Sequence, residues 1–221
     1  MGHREVIRIG ALDEKMGRNA MSGKTVVLAN GEFPRKGGAA WRLLAAAAHV
    51  VCCDGAADAY RRRFGKIPDA VVGDMDSAGA SARACGADIV CFTDQDTHDL
   101  EKAIVFCAMR GWKDPVVVGA TGKREDHTLG NVFRALAYGV EIVTDCGRFV
   151  PLCGTKTFRL AKGTAVSVFA PDPKTRMTSK GLEWPLGGVR FRNLFCATLN
   201  RTTAEKVVLA STRPVSVYIA T

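Results

Sequence analysis

Three short acidic stretches hold the residues best suited to chemistry: VVGDMDS at 71–77, TDQDTHDLEK at 93–102 and GATGKREDH at 119–127. Together they offer Asp74, Asp76, Asp94, Asp96, Asp99 and Asp126, with Lys102, Lys123 and Arg124 beside them. Carboxylate oxygens suit a hard cation such as magnesium, and nearby positive charge suits a polyphosphate. Each stretch reads as a loop between an apolar strand and a helical run. Loops at the carboxyl ends of parallel strands converge, so three separate stretches can build one site.

Each stretch also has a plainer reading. Asp74 and Asp76 stand two residues apart, which in an extended segment puts both carboxylates on one side. Two such groups can hold magnesium, and an Asp-rich turn capping the next helix explains them as well. In the second stretch Thr97 or Asp96 can cap a helix with Asp99 in its first turn. Four acidic residues between Asp94 and Glu101 exceed what capping needs. Lys102 is spaced to pair with Asp99 or to reach a phosphate. In the third, Gly119 and Gly122 let the backbone approach a ligand, and the helix start that follows attracts anions. Its spacing is not that of a Walker loop. His127 fits a structural hydrogen-bonding role better than that of a base.

The elements that must position these loops alternate from Lys24 to about Val143. Strands are expected at 25–30, 50–53, 70–73, 88–92, 115–119 and 140–144, and helices at 39–48, 56–64, 97–110 and 127–138. In the third helix Leu100, Ile104 and Cys107 share one stripe. Apolar strands separated by helices indicate an α/β fold with a mostly parallel, Rossmann-like three-layer sheet. After Asp145 come short, partly alternating runs: TFRLA, TAVSVFA, TSKGLEW, VRFRN, FCATLN, EKVVLAS and VSVYIA. Turn formers separate them, as in an all-β antiparallel sandwich. The expected organisation is a tail at 1–23, an α/β domain at 24–145 and a β domain at 146–221.

Composition narrows the partners. The chain has 221 residues, 47% of them hydrophobic and 24% charged, enough for a sizeable core. A formal charge of +9 suits an anionic ligand. Its basic residues are scattered, the densest run being Arg61-Arg62-Arg63, and no nucleic-acid module or aromatic-basic ladder stands out. Neither nucleic acid nor membrane is an expected partner. The eight cysteines lack zinc spacing; Cys52, Cys91 and Cys107 fall in apolar patterns that suggest buried, reduced thiols. With no secretory leader and no apolar run of about 18 residues, a cytoplasmic protein is expected.

In this order the stretches resemble the thiamine pyrophosphokinase family. The residues that carry the resemblance are Gly73-Asp74-Met75-Asp76-Ser77, Asp94-Gln95-Asp96-Thr97-His98-Asp99 with Lys102-Ala103, and Gly122-Lys123-Arg124-Glu125-Asp126-His127 with Asn131. Ala29-Asn30-Gly31-Glu32 and Cys53-Asp54-Gly55-Ala56 resemble its first two strand-end loops, and Gly181-Leu182-Glu183-Trp184 a segment of its carboxyl-terminal domain. This chain departs from the pattern at His98, where Thr is usual, at Lys123, where Gly is usual, and at Leu199, where Ser is usual.

The resemblance implies magnesium-dependent transfer of the diphosphate of ATP to thiamine. Asp74, Asp76 and Asp99 would hold the metal and carry catalysis, with help from Asp96. Asn30, Gly31, Asp54, Gln95, Asp96, Lys102, Thr121, Gly122, Arg124, Asp126 and Asn131 would bind ATP. Trp184 and Asn200 would bind thiamine, the indole stacking on a positively charged heterocycle. A homodimer sharing its sites between subunits is implied as well. Two other readings stay open at this point: a magnesium-dependent phosphohydrolase or nucleotidyltransferase, and a non-catalytic protein that binds nucleotide or thiamine diphosphate.

Overall fold

A computed structural model of the chain describes residues 23–73, 86–91 and 97–221. Its first half alternates as expected: β1 (Thr25–Leu28), α1 (Ala39–Ala45), β2 (His49–Cys53), α2 (Ala56–Phe64), β3 (Ala70–Gly73) and β4 (Asp88–Cys91). Then follow α3 (Asp99–Met109), β5 (Val116–Val118), α4 (Glu125–Ala137) and β6 (Glu141–Val143). These six strands are parallel neighbours in the order β4-β3-β2-β1-β5-β6. The strands are short, and β1, β3 and β5 are buried along their whole length. Burial of both faces explains their unbroken Val-rich sequence.

Alternate residues feed two separate cores. Val26, Leu28, Val50, Cys52 and Val71 point toward α1 and α2, meeting Leu43, Leu44, Ala57 and Tyr60. Val27, Val51, Cys53, Val72 and Val117 point the other way, toward Leu100, Ala103, Ile104 and Cys107 of α3 and Val132 and Ala135 of α4. Helices therefore cover both faces, and the loops at the carboxyl ends of the strands are left to form a site. α2 stops at Gly65, whose φ of +63° lets its N–H return to the Arg61 carbonyl. β4 is less covered than its neighbours, and Cys91 on it is exposed rather than buried. Every cysteine among the described residues is a free thiol.

The remaining strands are β7 (Gly147–Arg159), β8 (Ala165–Phe169), β9 (Met177–Lys180), β10 (Ala197–Arg201) and β11 (Lys206–Ala220). β7 pairs antiparallel with β6 at Ile142↔Phe149, so the sheet continues across the junction. β7 and β11 form a long ribbon whose register shifts between Ser211 and Val215. β9 joins one end of β11 and β8 the other, with β10 beside β8. Leu152, Phe158, Val168, Met177, Leu209 and Val217 share its core.

Two sequence expectations change here. EKVVLAS and VSVYIA are one strand, β11, interrupted only by the register shift around Pro214. VRFRN at 189–193 is a loop, because Phe191 inserts into the core with 1% exposure and anchors the segment there. Among the described residues, no helix is long and apolar enough to cross a membrane.

Candidate functional site at the strand ends

β1 is followed in sequence by β2, β3 and β4 on one side, whereas β5 and β6 lie on its other side. Helical connections thus diverge between β1 and β5, and a crevice opens at such a switch point outside the carboxyl ends. The two loops there are tied together by backbone. Gly31 N–H donates to the Gly119 carbonyl at 2.7 Å, and Glu32 N–H donates to the Thr121 carbonyl at 2.8 Å. A Cβ on Gly31 would strike both of those carbonyls. Gly122 has φ +74°, and a Cβ there would run into the Glu32 side chain. Glycine is required at both places for different reasons, close approach at the first and a left-handed backbone besides at the second.

Lys123 follows with φ +58°, an uncommon conformation for a side-chain-bearing residue. Its ammonium crosses to β1's loop and donates to the Asn30 carbonyl and to Asn30 Oδ1, at 3.1 and 3.2 Å. A cation is thereby fixed over the crevice. Asn131, on α4, donates its amide to the Ala120 carbonyl at 2.8 Å and so braces the loop from behind. Arg124 and Asp126 pair at the mouth, Nη2 to Oδ2 at 2.6 Å, both largely exposed. The bond from Arg124 holds the Asp126 carboxyl down to about 2, and the carboxylate in turn raises the guanidinium.

The neighbouring loops carry acid. Asp54 ends β2, 6% exposed, with φ +43°. Its N–H donates to the Val72 carbonyl, and Gly73 and Gly55 leave room for the Asp54 and Asn30 side chains respectively. Asp99 opens α3, where the helix dipole favours its charge. The residue flanking that helix is His98, whose side chain makes no capping hydrogen bond. Lys102 sits one turn on, 4% exposed, with Nζ 3.5 Å from Asp99 Oδ1. A buried ammonium needs such a partner. Burial raises the Cys53 thiol well above its ordinary value, and the Asp99 charge adds to it.

Asn30, Gly31, Asp54, Asp99, Lys102, Thr121, Gly122, Arg124 and Asp126 therefore belong to loops or first helical turns at one end of one sheet, and Asn131, in the middle of α4, bonds back to the loop at Ala120. Asp74, Asp76, Asp94, Gln95 and Asp96 lie outside the described residues. Among the described residues, no group of three or more His, Cys, Asp or Glu side chains is gathered to hold a metal ion. Asp99, opening α3 at the carboxyl end of the sheet, offers carboxylate oxygens of the kind magnesium takes.

Trp184 and Asn200 come together elsewhere, in the antiparallel half. Asn200 is buried, and its side chain clamps Trp184 from both sides. Its Oδ1 accepts from Trp184 N–H at 3.2 Å, and its Nδ2 donates to the Trp184 carbonyl at 2.7 Å. The indole is left 56% exposed. An exposed aromatic on a clamped backbone is a ready face for a flat ring.

Sequence reasoning missed a cavity of about 320 Å³ beside the glycine loop, lined by Glu32, Arg35, Thr121, Asp145, Phe149 and Tyr218. Arg35 N–H donates to Asp145 Oδ2 at 2.9 Å, closing one wall. The signal is absent from any single stretch, because Arg35 and Asp145 meet only once β5 has been placed between β1 and β6.

Fold and site thus define an α/β protein with a crevice edged by a glycine loop and charged side chains at its strand ends and an antiparallel half that presents a clamped aromatic. The chain matches the family model for the thiamin pyrophosphokinase catalytic domain over residues 40–143, and that for the thiamin pyrophosphokinase substrate-binding domain over residues 147–218. It belongs to the thiamin pyrophosphokinase family. No curated protein matches it by sequence.

Solved structures with the same fold include thiamin pyrophosphokinase from Candida albicans, at 16% identity and TM-score 0.74, covering 90% of each chain. The enzyme from Geobacillus thermodenitrificans is 21% identical with TM-score 0.70, covering 89% of this chain and 96% of the other. Yeast thiamin pyrophosphokinase is 12% identical with TM-score 0.71, covering 91% and 87%.

Proposed function

We propose that this chain transfers the diphosphate of ATP to thiamine, giving thiamine diphosphate and AMP. The observation that carries the reading is a glycine-backbone loop crossed by the Lys123 ammonium at the switch point, with the Asp99–Lys102 pair in the first turn of α3 at the carboxyl end of the same sheet. It occurs in a chain whose halves match a catalytic and a substrate-binding domain of one family.

In this reading residues 24–145 bind ATP and residues 146–221 bind thiamine. Asp74, Asp76 and Asp99 would hold magnesium, which would supply positive charge to offset that of the phosphates. Gly31, Thr121 and Gly122 admit the phosphates to the backbone, Asn131 braces that loop, and Asn30, Asp54, Gln95, Asp96, Arg124 and Asp126 orient the nucleotide. Lys102 keeps the Asp99 carboxylate in place and adds charge toward the phosphates. Trp184, held by Asn200, stacks on the thiamine ring system.

The thiamine hydroxyl oxygen attacks the β-phosphorus, the bond from that phosphorus to the α–β bridging oxygen breaks, and AMP leaves. The hydroxyl proton passes to a carboxylate, Asp74 or Asp99. Positioning and charge stabilisation supply most of the rate, as elsewhere in phosphoryl transfer. A homodimer in which Trp184 of one subunit serves the strand ends of the other completes the proposal.

Incubation with ATP, magnesium and thiamine tests it. AMP and thiamine diphosphate in equal amounts are expected. ADP or inorganic phosphate alone would instead mark a phosphohydrolase or nucleotidyltransferase, and binding without turnover a non-catalytic protein.

A further inference from the structure

One residue of the antiparallel half stands in a conformation that the fold alone does not repay. Leu199 has φ +60°, the left-handed region that bulky side chains avoid. It is also 84% exposed, more than any other large apolar residue described. A leucine that is neither buried nor comfortably folded contributes little to stability. The register of β10 against β8 shifts between Ala197 and Asn200, which places Leu199 in a bulge. Bulges re-aim side chains and are frequent beside sites. This one is fixed in place, since Leu199 N–H donates to Ser167 Oγ at 3.0 Å. The next residue is Asn200, the side chain that clamps Trp184. The exposed leucine and the exposed indole are therefore attached to the same buried asparagine.

We infer that Leu199 is a specificity-determining residue for the acceptor: its side chain forms an apolar wall beside the ring that stacks on Trp184. The inference rests on the proposed thiamine site and deepens it. Ring substituents and ring edges of the acceptor gain contact with the leucine methyls, and the nucleotide does not touch it. The left-handed backbone is then the device that aims an apolar side chain out of the sheet toward a ligand.

The variants Leu199→Gly and Leu199→Ser separate this from a structural role. Glycine accepts φ +60° without strain, so the fold of Leu199→Gly is expected to be at least as resistant to heat as the parent. With it, KM for thiamine should rise about tenfold while KM for ATP and kcat stay within about twofold, the loss of one well-placed apolar contact. Leu199→Ser should show the same split. Thiamine binding measured by calorimetry on the full chain gives the same comparison without turnover. If the parent binds thiamine and the variants bind it more weakly, the inference stands even where no diphosphate is transferred and the proposed reaction fails. Equal thiamine affinity in parent and variants overturns it. So does a parent that binds no thiamine, or a loss that follows weakened dimer formation, measured by sedimentation, in place of acceptor contact.

Discussion

Residues 1–146 carry 19 Lys and Arg against 19 Asp and Glu, whereas residues 147–221 carry 12 against 3, so the formal charge of +9 lies wholly in the antiparallel half. The first half is neutral in sum and sharply organised in space. Asp54, Asp99, Lys102, Lys123 and the Arg124–Asp126 pair all stand at one end of its sheet. Metal-polyphosphate chemistry needs both signs close together, and a neutral total can hide that. The second half is strongly basic, yet its candidate site is an indole and a leucine set by a buried asparagine. A cationic ring approaching such a domain meets repulsion at long range. Contact with an aromatic face and an apolar wall must hold it there, with no help from net charge.

That contrast can be broken most severely at Asp99. Asp99→Asn keeps the size of the side chain and removes its charge, so diphosphate transfer should fall by roughly 10²–10³-fold, with a native circular dichroism spectrum and a lowered melting midpoint because Lys102 loses its charged partner. Transfer within a factor of two of the parent would remove Asp99 from the metal site. Next in size is Gly122→Ala. It forces alanine into φ +74° and its Cβ against Glu32. A loss of about 1–3 kcal/mol is expected from thermal denaturation, with ATP binding weakened more than thiamine binding. A full-strength ATP site in this variant would mean that the glycine loop does not receive the phosphates.

Salt sharpens the comparison at a smaller scale. Raising ionic strength from about 0.05 to 0.3 M shortens the reach of exposed charges. ATP affinity should fall by about two- to fivefold, while thiamine affinity should hold or improve, since screening relieves repulsion from the basic half. Parallel weakening of both would show that charge holds both substrates.

The smallest effects are in pH. Asp126 titrates at about 2 in the folded chain because Arg124 bonds its carboxylate. Its folded value lies below its unfolded one, so the pair's contribution is present above about pH 4 and is lost as pH falls toward 2. Asp126→Asn should flatten that acid limb slightly. Burial pushes the Cys107 thiol up to about 12, from an ordinary value near 9. Stability from the neutral buried thiol is then whole below pH 9 and drains away between 9 and 12. Cys107→Ala should lose that alkaline dependence in denaturation midpoints.

The parallel sheet was legible because its strands are buried on both faces and read as unbroken Val-rich runs, and α3 because Leu100, Ile104 and Cys107 keep helical period. In the antiparallel half the same reading split β11 in two and made a strand of 189–193. Register shifts and a single inserted Phe191 decide those segments, and neither has a local sequence signature. At the site, residue types were visible where they cluster in sequence. Partnerships across the sheet were not. Lys123 reaching Asn30 and Arg35 meeting Asp145 depend on strand order, which places β5 between β1 and β6. The clamp of Asn200 on Trp184 depends in the same way on two segments 16 residues apart meeting edge to edge.

In the proposed division of labour, nucleotide is held by the parallel half and the acceptor ring by the antiparallel half. Calorimetric titration of Asp99→Asn and Trp184→Ala with a magnesium–ATP analogue and, separately, with thiamine tests it most directly. Asp99→Asn should lose the magnesium-nucleotide and keep thiamine, whereas Trp184→Ala should lose thiamine by about tenfold or more and keep the nucleotide. Equal losses of both ligands in both variants, or losses that cross over, would contradict it.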